Sequence, residues 1–201
     1  MEINIKPQHM KKILISTLIV LLAIPALNAQ FTKIGAGTGF SSGYLFHGMD
    51  YDYNKSGHFF GSLKGIYEIT VPIHVSPSFT FFVPHVYKEF DAKYTVNTMM
   101  FDINGHYVFN SLDRFEFYGL AGLDIMLAWK KEKWENMTYK ESDNALGLNI
   151  GLGSYMKITE QFDIYAEIKY LLTKKDYSQF MLNAGVLINL DWLIKHEDTG
   201  M

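Results

Sequence analysis

No cysteine occurs in the 201 residues. Its absence excludes a disulfide-stapled secreted domain, a thiolate metal site and an acylated cysteine behind a leader. An excess of charge of one sign is missing too. Eighteen basic residues against twenty-one acidic ones leave a net charge of -3, so the chain has no basic footprint for nucleic acid, which is not expected as a partner. A hydrophobic content of 48% excludes an intrinsically disordered chain. Beyond residue 30 no apolar run approaches the roughly 20 residues that a membrane-crossing helix needs.

One apolar run does exist. "MKKILISTLIVLLAIPALNA", residues 10–29, has two lysines, an apolar stretch from Ile13 to Ile24, Pro25 and a small residue at Ala29. That order describes a cleavable secretory signal peptide, expected over 1–29, although Leu27, third before the cut, is not the small residue preferred there. Because Met10 opens a complete leader by itself, residues 1–9 are read as an over-long gene start.

From residue 30 to 195 the chain alternates with period two. Phe180, Leu182, Ala184, Val186, Ile188 and Leu190 are interleaved with Asn183, Gly185 and Asn189, and Ile164, Ala166, Ile168 and Tyr170 with Tyr165, Glu167 and Lys169. In "TMMFDINGHYVF" Phe101, Ile103 and Tyr107 fall on one side and Asp102, Asn104 and His106 on the other. Such segments are strands with one apolar face. Eight are expected, near 32–42, 58–70, 77–87, 96–109, 115–127, 146–152, 164–172 and 180–194. Pro84 and the Val71-Pro72 pair make the third the least regular. Long polar loops are expected at 43–57, 88–95 and 130–143, with short turns at 71–76, 110–114 and 159–163. A polar tail follows at 196–201.

Two architectures fit an alternating all-β chain. A soluble barrel of the lipocalin type turns its apolar faces inward and its charges outward. Here the polar faces are too poor in charge for a solvated exterior, consisting mainly of glycine, asparagine, serine and tyrosine with isolated charges of both signs. Aromatic residues stand near strand ends, at Tyr107, Phe109, Phe115, Phe117, Trp129 and Trp192, as in the girdles that meet lipid headgroups. The expected fold is therefore an eight-stranded antiparallel transmembrane β-barrel, with lipid against its apolar faces.

This pattern of leader, strand number and loop lengths resembles the small outer-membrane barrels of the OmpA and OmpX kind, grouped as outer-membrane protein β-barrel domains. "SSGYLFHGMDY" at 41–51 resembles the Tyr-x-Phe-Arg-Gly segment of some secreted barrel families, with His47 in the place of arginine. Barrels of this kind usually finish on an aromatic residue; here Trp192 is followed by Leu193, Ile194 and a polar tail. The resemblance implies the outer membrane of a Gram-negative bacterium, a monomer, contacts with outer-membrane lipid and lipopolysaccharide, and insertion by the barrel-assembly machinery. Cofactors are not part of that picture.

Two groups of residues could carry chemistry. Lys64, Glu68, Asp102, His106, Asp124, Glu167 and Lys169 lie on inward faces, where charges persist when paired. They are expected to form a lumen network that plugs the barrel and stiffens it, the alternative being a narrow path for protons or small solutes. His47, Asp50, Asp52, Ser56 and His58, in or beside the first long loop, are the candidates for a lipid-modifying enzyme with a histidine base, a serine nucleophile and an orienting carboxylate. Their spacing matches no metal motif, and no metal is expected. The segment 130–143 carries four lysines and four acids and is expected to be a solvated loop. The reading is a non-enzymatic barrel that acts through its outward loops.

Overall fold

The computed structural model describes residues 31–43, 45–46, 57–70, 72–89, 92–134, 137–173, 177–190 and 192. The expected leader at 1–29 and tail at 196–201 lie outside the described residues. The strands are β1 (Phe31–Ser41), β2 (His58–Thr70), β3 (Ile73–Phe82), β4 (His85–Glu89), β5 (Ala92–Leu112), β6 (Phe115–Trp134), β7 (Met137–Lys157), β8 (Phe162–Thr173) and β9 (Gln179–Asn189).

All pairings are antiparallel between sequence neighbours, and two further pairings close the sheet. β1 pairs with β9, and β3 as well as β4 pairs with β5. β3 and β4 are thus two lengths of one interrupted stave, and the ring has eight. Around the ring each stave is paired on both sides, as a backbone surrounded by hydrocarbon requires; the outer extensions, β4 and the Met137–Leu146 length of β7, are paired on one side among the described residues.

The pleat sorts the side chains as the alternation predicts. Phe59, Leu63 and Leu146 are 66%, 62% and 71% exposed on the outside, whereas Lys64 is 4%, His106 1% and Asp102 0% exposed within. A soluble protein would have these values reversed. The outer belt is the lipid-facing surface of a membrane barrel.

Several strand limits differ from expectation, and the turn expected over 110–114 tightens to Asp113 and Arg114 between β5 and β6. The third strand starts at Ile73 and stops at Phe82, where Val83 and Pro84 interrupt it before β4, so the turn expected over 71–76 shrinks to the residues between Thr70 and Ile73. Proline explains the breaks. Pro84 has no N–H for a ladder, and the β2–β3 ladder also skips from Lys64–Ser78 to Tyr67–Val75 around Pro77. The segment 88–95 is mostly strand, in the β4–β5 hairpin. The polar segment 130–143 is mostly strand as well: β6 and β7 pair without interruption out to Trp134 and Met137. Above the membrane a strand needs no apolar face, so polarity there does not mark a loop. At the other end β9 stops at Asn189, short of the expected 194.

Candidate functional site

The inward residues stack in three tiers along the barrel axis. The outer tier is apolar: Phe60, Phe82, Met100, Met126, Leu171 and Met181 form one buried cluster, into which Leu45 and Phe46 fold from the segment after β1. Thr98 fixes that segment by donating its hydroxyl proton to the Leu45 carbonyl at 2.9 Å. Sequence alternation did not foretell this tier, because its residues come from strands whose two faces are both apolar at that height.

The middle tier is polar. Lys64 donates to Glu167, which also accepts from the Tyr118 hydroxyl at 2.7 Å. His106 places Nε2 3.8 Å from the same carboxylate, bonds through Nδ1 to the Tyr155 hydroxyl at 2.6 Å, and stacks on the Tyr118 ring at 4.4 Å. Lys169 donates to Asp102 at 2.9 Å, Asn104 donates to the same oxygen, and Asn149 donates to Asn104 at 3.0 Å. Small residues make room for these long ones: a Cβ at Gly153 would run into the Tyr118 ring.

Below lies a second apolar layer of Ile66, Leu120 and Leu187 with the three tyrosines Tyr118, Tyr155 and Tyr165. At the short-turn rim Lys33 pairs with Asp163 at 2.8 Å and stands 3.9 Å from Glu68.

Five of the seven residues expected in the lumen are thus held in contacts of the middle tier: Lys64, Asp102, His106, Glu167 and Lys169. Glu68 is not among them; it sits two residues past Ile66 at the partly open rim, facing Lys33. Asp124 is buried and inward beside Asp102, its direct partner across β5 and β6, yet neither of its oxygens has a hydrogen-bond partner among the described residues. Two lysines therefore face three carboxylates. An unsatisfied buried carboxylate beside a like charge lowers stability, so Asp124→Asn is expected to raise the unfolding free energy by about 1–2 kcal/mol, read from the urea midpoint of the refolded barrel. Sequence reasoning missed Tyr118 and Tyr155, whose parity with Asp124 and Gly153 was the available signal.

Of the loop candidates, His47, Asp50, Asp52 and Ser56 lie outside the described residues. His58 is inward and buried at the outer end of β2, its ring edge-on to that of His85 at 5.6 Å. Among the described residues no group of three or more histidines and carboxylates is placed to hold a metal.

A closed ring with an apolar belt outside and paired charges inside defines an integral β-barrel of the outer membrane. The model of the outer membrane protein beta-barrel domain matches residues 14–189, and the chain belongs to that family. It is an outer-membrane protein of the Gram-negative envelope. No individual curated protein matches the sequence. Among solved structures, the attachment invasion locus protein Ail of Yersinia pestis is similar at 18% identity, over 79% of this chain and 99% of that one, with a TM-score of 0.52. Neisserial surface protein A is similar at 14% identity, over 81% and 99%, with a TM-score of 0.53. A major outer membrane protein from Thermus thermophilus reaches a TM-score of 0.58 at 12% identity, over 78% and 97%. These likenesses are of fold.

Proposed function

We propose that the protein is a non-enzymatic, non-conducting barrel, a rigid monomeric mount for the segments that emerge at its outer rim. The observation that supports this most is the outer apolar tier: Leu45 and Phe46 fill the mouth of the lumen at 0% and 2% exposure. Ions would have to pass a dry layer before reaching the polar tier, and an eight-stranded barrel has an interior about filled by its own side chains. Surface interactions then fall to the segment 43–57 and to the β6–β7 hairpin, as functional contacts commonly fall to segments carried on a rigid scaffold. Delivery to the membrane would use the barrel-assembly machinery.

Planar-bilayer recording tests the closed lumen. The purified protein is expected to give no steady conductance, and Phe46→Ala is expected to produce brief openings at most, because the paired middle tier still blocks the path. Steady, large conductance of the unaltered protein would overturn the proposal. For the enzymatic alternative, lipid A mass spectra from cells with and without the gene are expected to be identical, and a gained or lost acyl chain would make the barrel an enzyme.

A further inference from the structure

Counted along the sequence, the segment 130–143 is electrically balanced; folded, it is not. The pleat of the extended wall above the membrane sends Lys131, Lys133 and Lys140 to one side and Glu132, Glu141 and Asp143 to the other, where Lys130 joins the acids. Glu132, Glu141 and Asp143 face the barrel axis, where they are engaged by the Tyr94 hydroxyl at 3.2 Å, by Lys130 at 2.9 Å and by the Tyr177 hydroxyl at 2.8 Å. Lys88, Lys93, Lys131, Lys133 and Lys140 share the opposite, outward parity with the lipid-facing residues Met99, Leu127 and Leu146. None of these five lysines has an ion pair among the described residues.

Their register brings like charges together. Lys88 is directly opposite Lys93, Lys93 opposite Lys133, and Lys131 opposite Lys140. Like charges in directly opposed positions destabilise a sheet, so a surface with three such pairs is suited to a multiply charged anion. Height decides which anion. Trp129, flanked by Asn97 and Ser142 across its two ladders, stands just above the apolar belt, at the level where tryptophan meets headgroups. Lys131 and Lys133 lie two and four residues above it, about 7 and 13 Å at roughly 3.3 Å per residue. A surface cleft of about 460 Å³ opens there, with Trp129, Lys131, Lys140 and Ser142 in its lining beside the paired Lys130 and Glu141. The face is continuous with the surface that touches hydrocarbon, so its occupant stands in the membrane rather than in free solution.

We infer that the outward lysine face of β4–β7 above Trp129 docks the phosphate groups of an outer-leaflet glycolipid. This inference rests on the barrel's place in the outer membrane and is independent of the closed lumen proposed above. Lysine ammonium groups bind phosphate as point charges, and juxtamembrane basic clusters gain affinity for anionic headgroups with each added cation.

The test uses the full chain refolded in phosphatidylcholine nanodiscs that contain bisphosphorylated lipid A, with retained lipid counted by native mass spectrometry. The combined variant Lys93→Gln, Lys131→Gln, Lys140→Gln is expected to retain about tenfold less lipid A than the unaltered protein, and the matching Lys→Arg variant to retain it. Lys157→Gln, at the short-turn end, is expected to change nothing. With lipid A stripped of its phosphates the difference between the proteins should vanish. Equal retention by the unaltered and glutamine proteins, with both shown folded by gel shift, would overturn the inference. So would loss of heparin binding in the glutamine variant with lipid A retention unchanged, which would assign the face to a soluble polyanion.

Discussion

Replacing Glu167 by methionine is expected to lower the unfolding free energy by about 3–5 kcal/mol, the usual cost of leaving one partner of a buried ion pair alone. The side chains of Lys64 and Glu167 are 1% and 2% exposed, so water cannot take over the role of the missing carboxylate. The substitution also removes the acceptor of the Tyr118 hydroxyl. Lys64→Met is expected to cost less, because Glu167 would keep the Tyr118 proton and has His106 at 3.8 Å. The double variant should recover most of the loss, since two methionines replace the pair at similar volume and the remaining cost is the carboxylate acceptor that the Tyr118 hydroxyl loses, about 1–3 kcal/mol. Urea unfolding of the four proteins in lipid bilayers, followed by tryptophan fluorescence, measures this coupling as a double-mutant cycle. If all four unfold within about 0.5 kcal/mol of one another, the middle tier does not hold the barrel together.

The expected ordering of those variants depends on a distinction that the sequence carries only in part. Alternation placed Lys64, Glu167, Asp102 and Lys169 inside, because parity along a strand is a local property and a one-residue slip would expose every member at once. Which lysine meets which carboxylate was not legible. Lys64 and Glu167 are 103 residues apart, and their contact is set by the stagger of β2 and β8 across the barrel. The same limit explains Glu68: its parity is inward, but its height is the rim, and height follows from register rather than from alternation.

The outer half of the molecule was harder to read for a different reason. Within the membrane, lipid forces one face of each strand to be apolar and leaves the period-two signal clean. Above it water accepts either kind of side chain, so "KKEKWENMTYKESD" reads as a loop although most of it forms a hairpin. The physical content survives in a subtler alternation, of charge sign rather than polarity. Lys131, Lys133 and Lys140 on one face and Glu132, Glu141 and Asp143 on the other become visible once strand is assumed. The apolar tier behind it was hidden by the opposite effect. Around Met99–Met100 and Met126–Leu127 both faces are apolar, so no contrast marks which residue turns inward.

A valine at Gly37 or Gly185 is expected to prevent barrel closure, whereas a valine at Gly61 or Gly119 is expected to be tolerated. Gly37 and Gly185 are direct partners in the β1–β9 ladder, the seam at which the first and last strands meet. The fully buried Tyr165 ring lies against them. A Cβ on Gly37 would run into the Tyr165 hydroxyl and approach the Ala184 carbonyl oxygen to 2.6 Å, and one on Gly185 would stand 2.6 Å from Gly37 Cα. The obstacles include backbone atoms of the seam itself, so a side chain can be fitted only by moving the strands apart and giving up ladder hydrogen bonds. Overpacking of this kind costs at least the upper end of the usual range, about 3 kcal/mol, and it falls on the pairing that closes the ring. Gly61 and Gly119 point outward with nothing within 4 Å of an added Cβ. A valine there places a β-branched apolar side chain against lipid, where strand propensity and surroundings both favour it. Gel migration of unboiled against boiled samples separates the cases: the outward variants should keep the folded band, and the seam variants should lose it. Adding Tyr165→Ala to Gly37→Val should restore little, because the Ala184 carbonyl remains. Full recovery in that double variant would show that the tyrosine ring, rather than the backbone of the seam, sets the need for glycine.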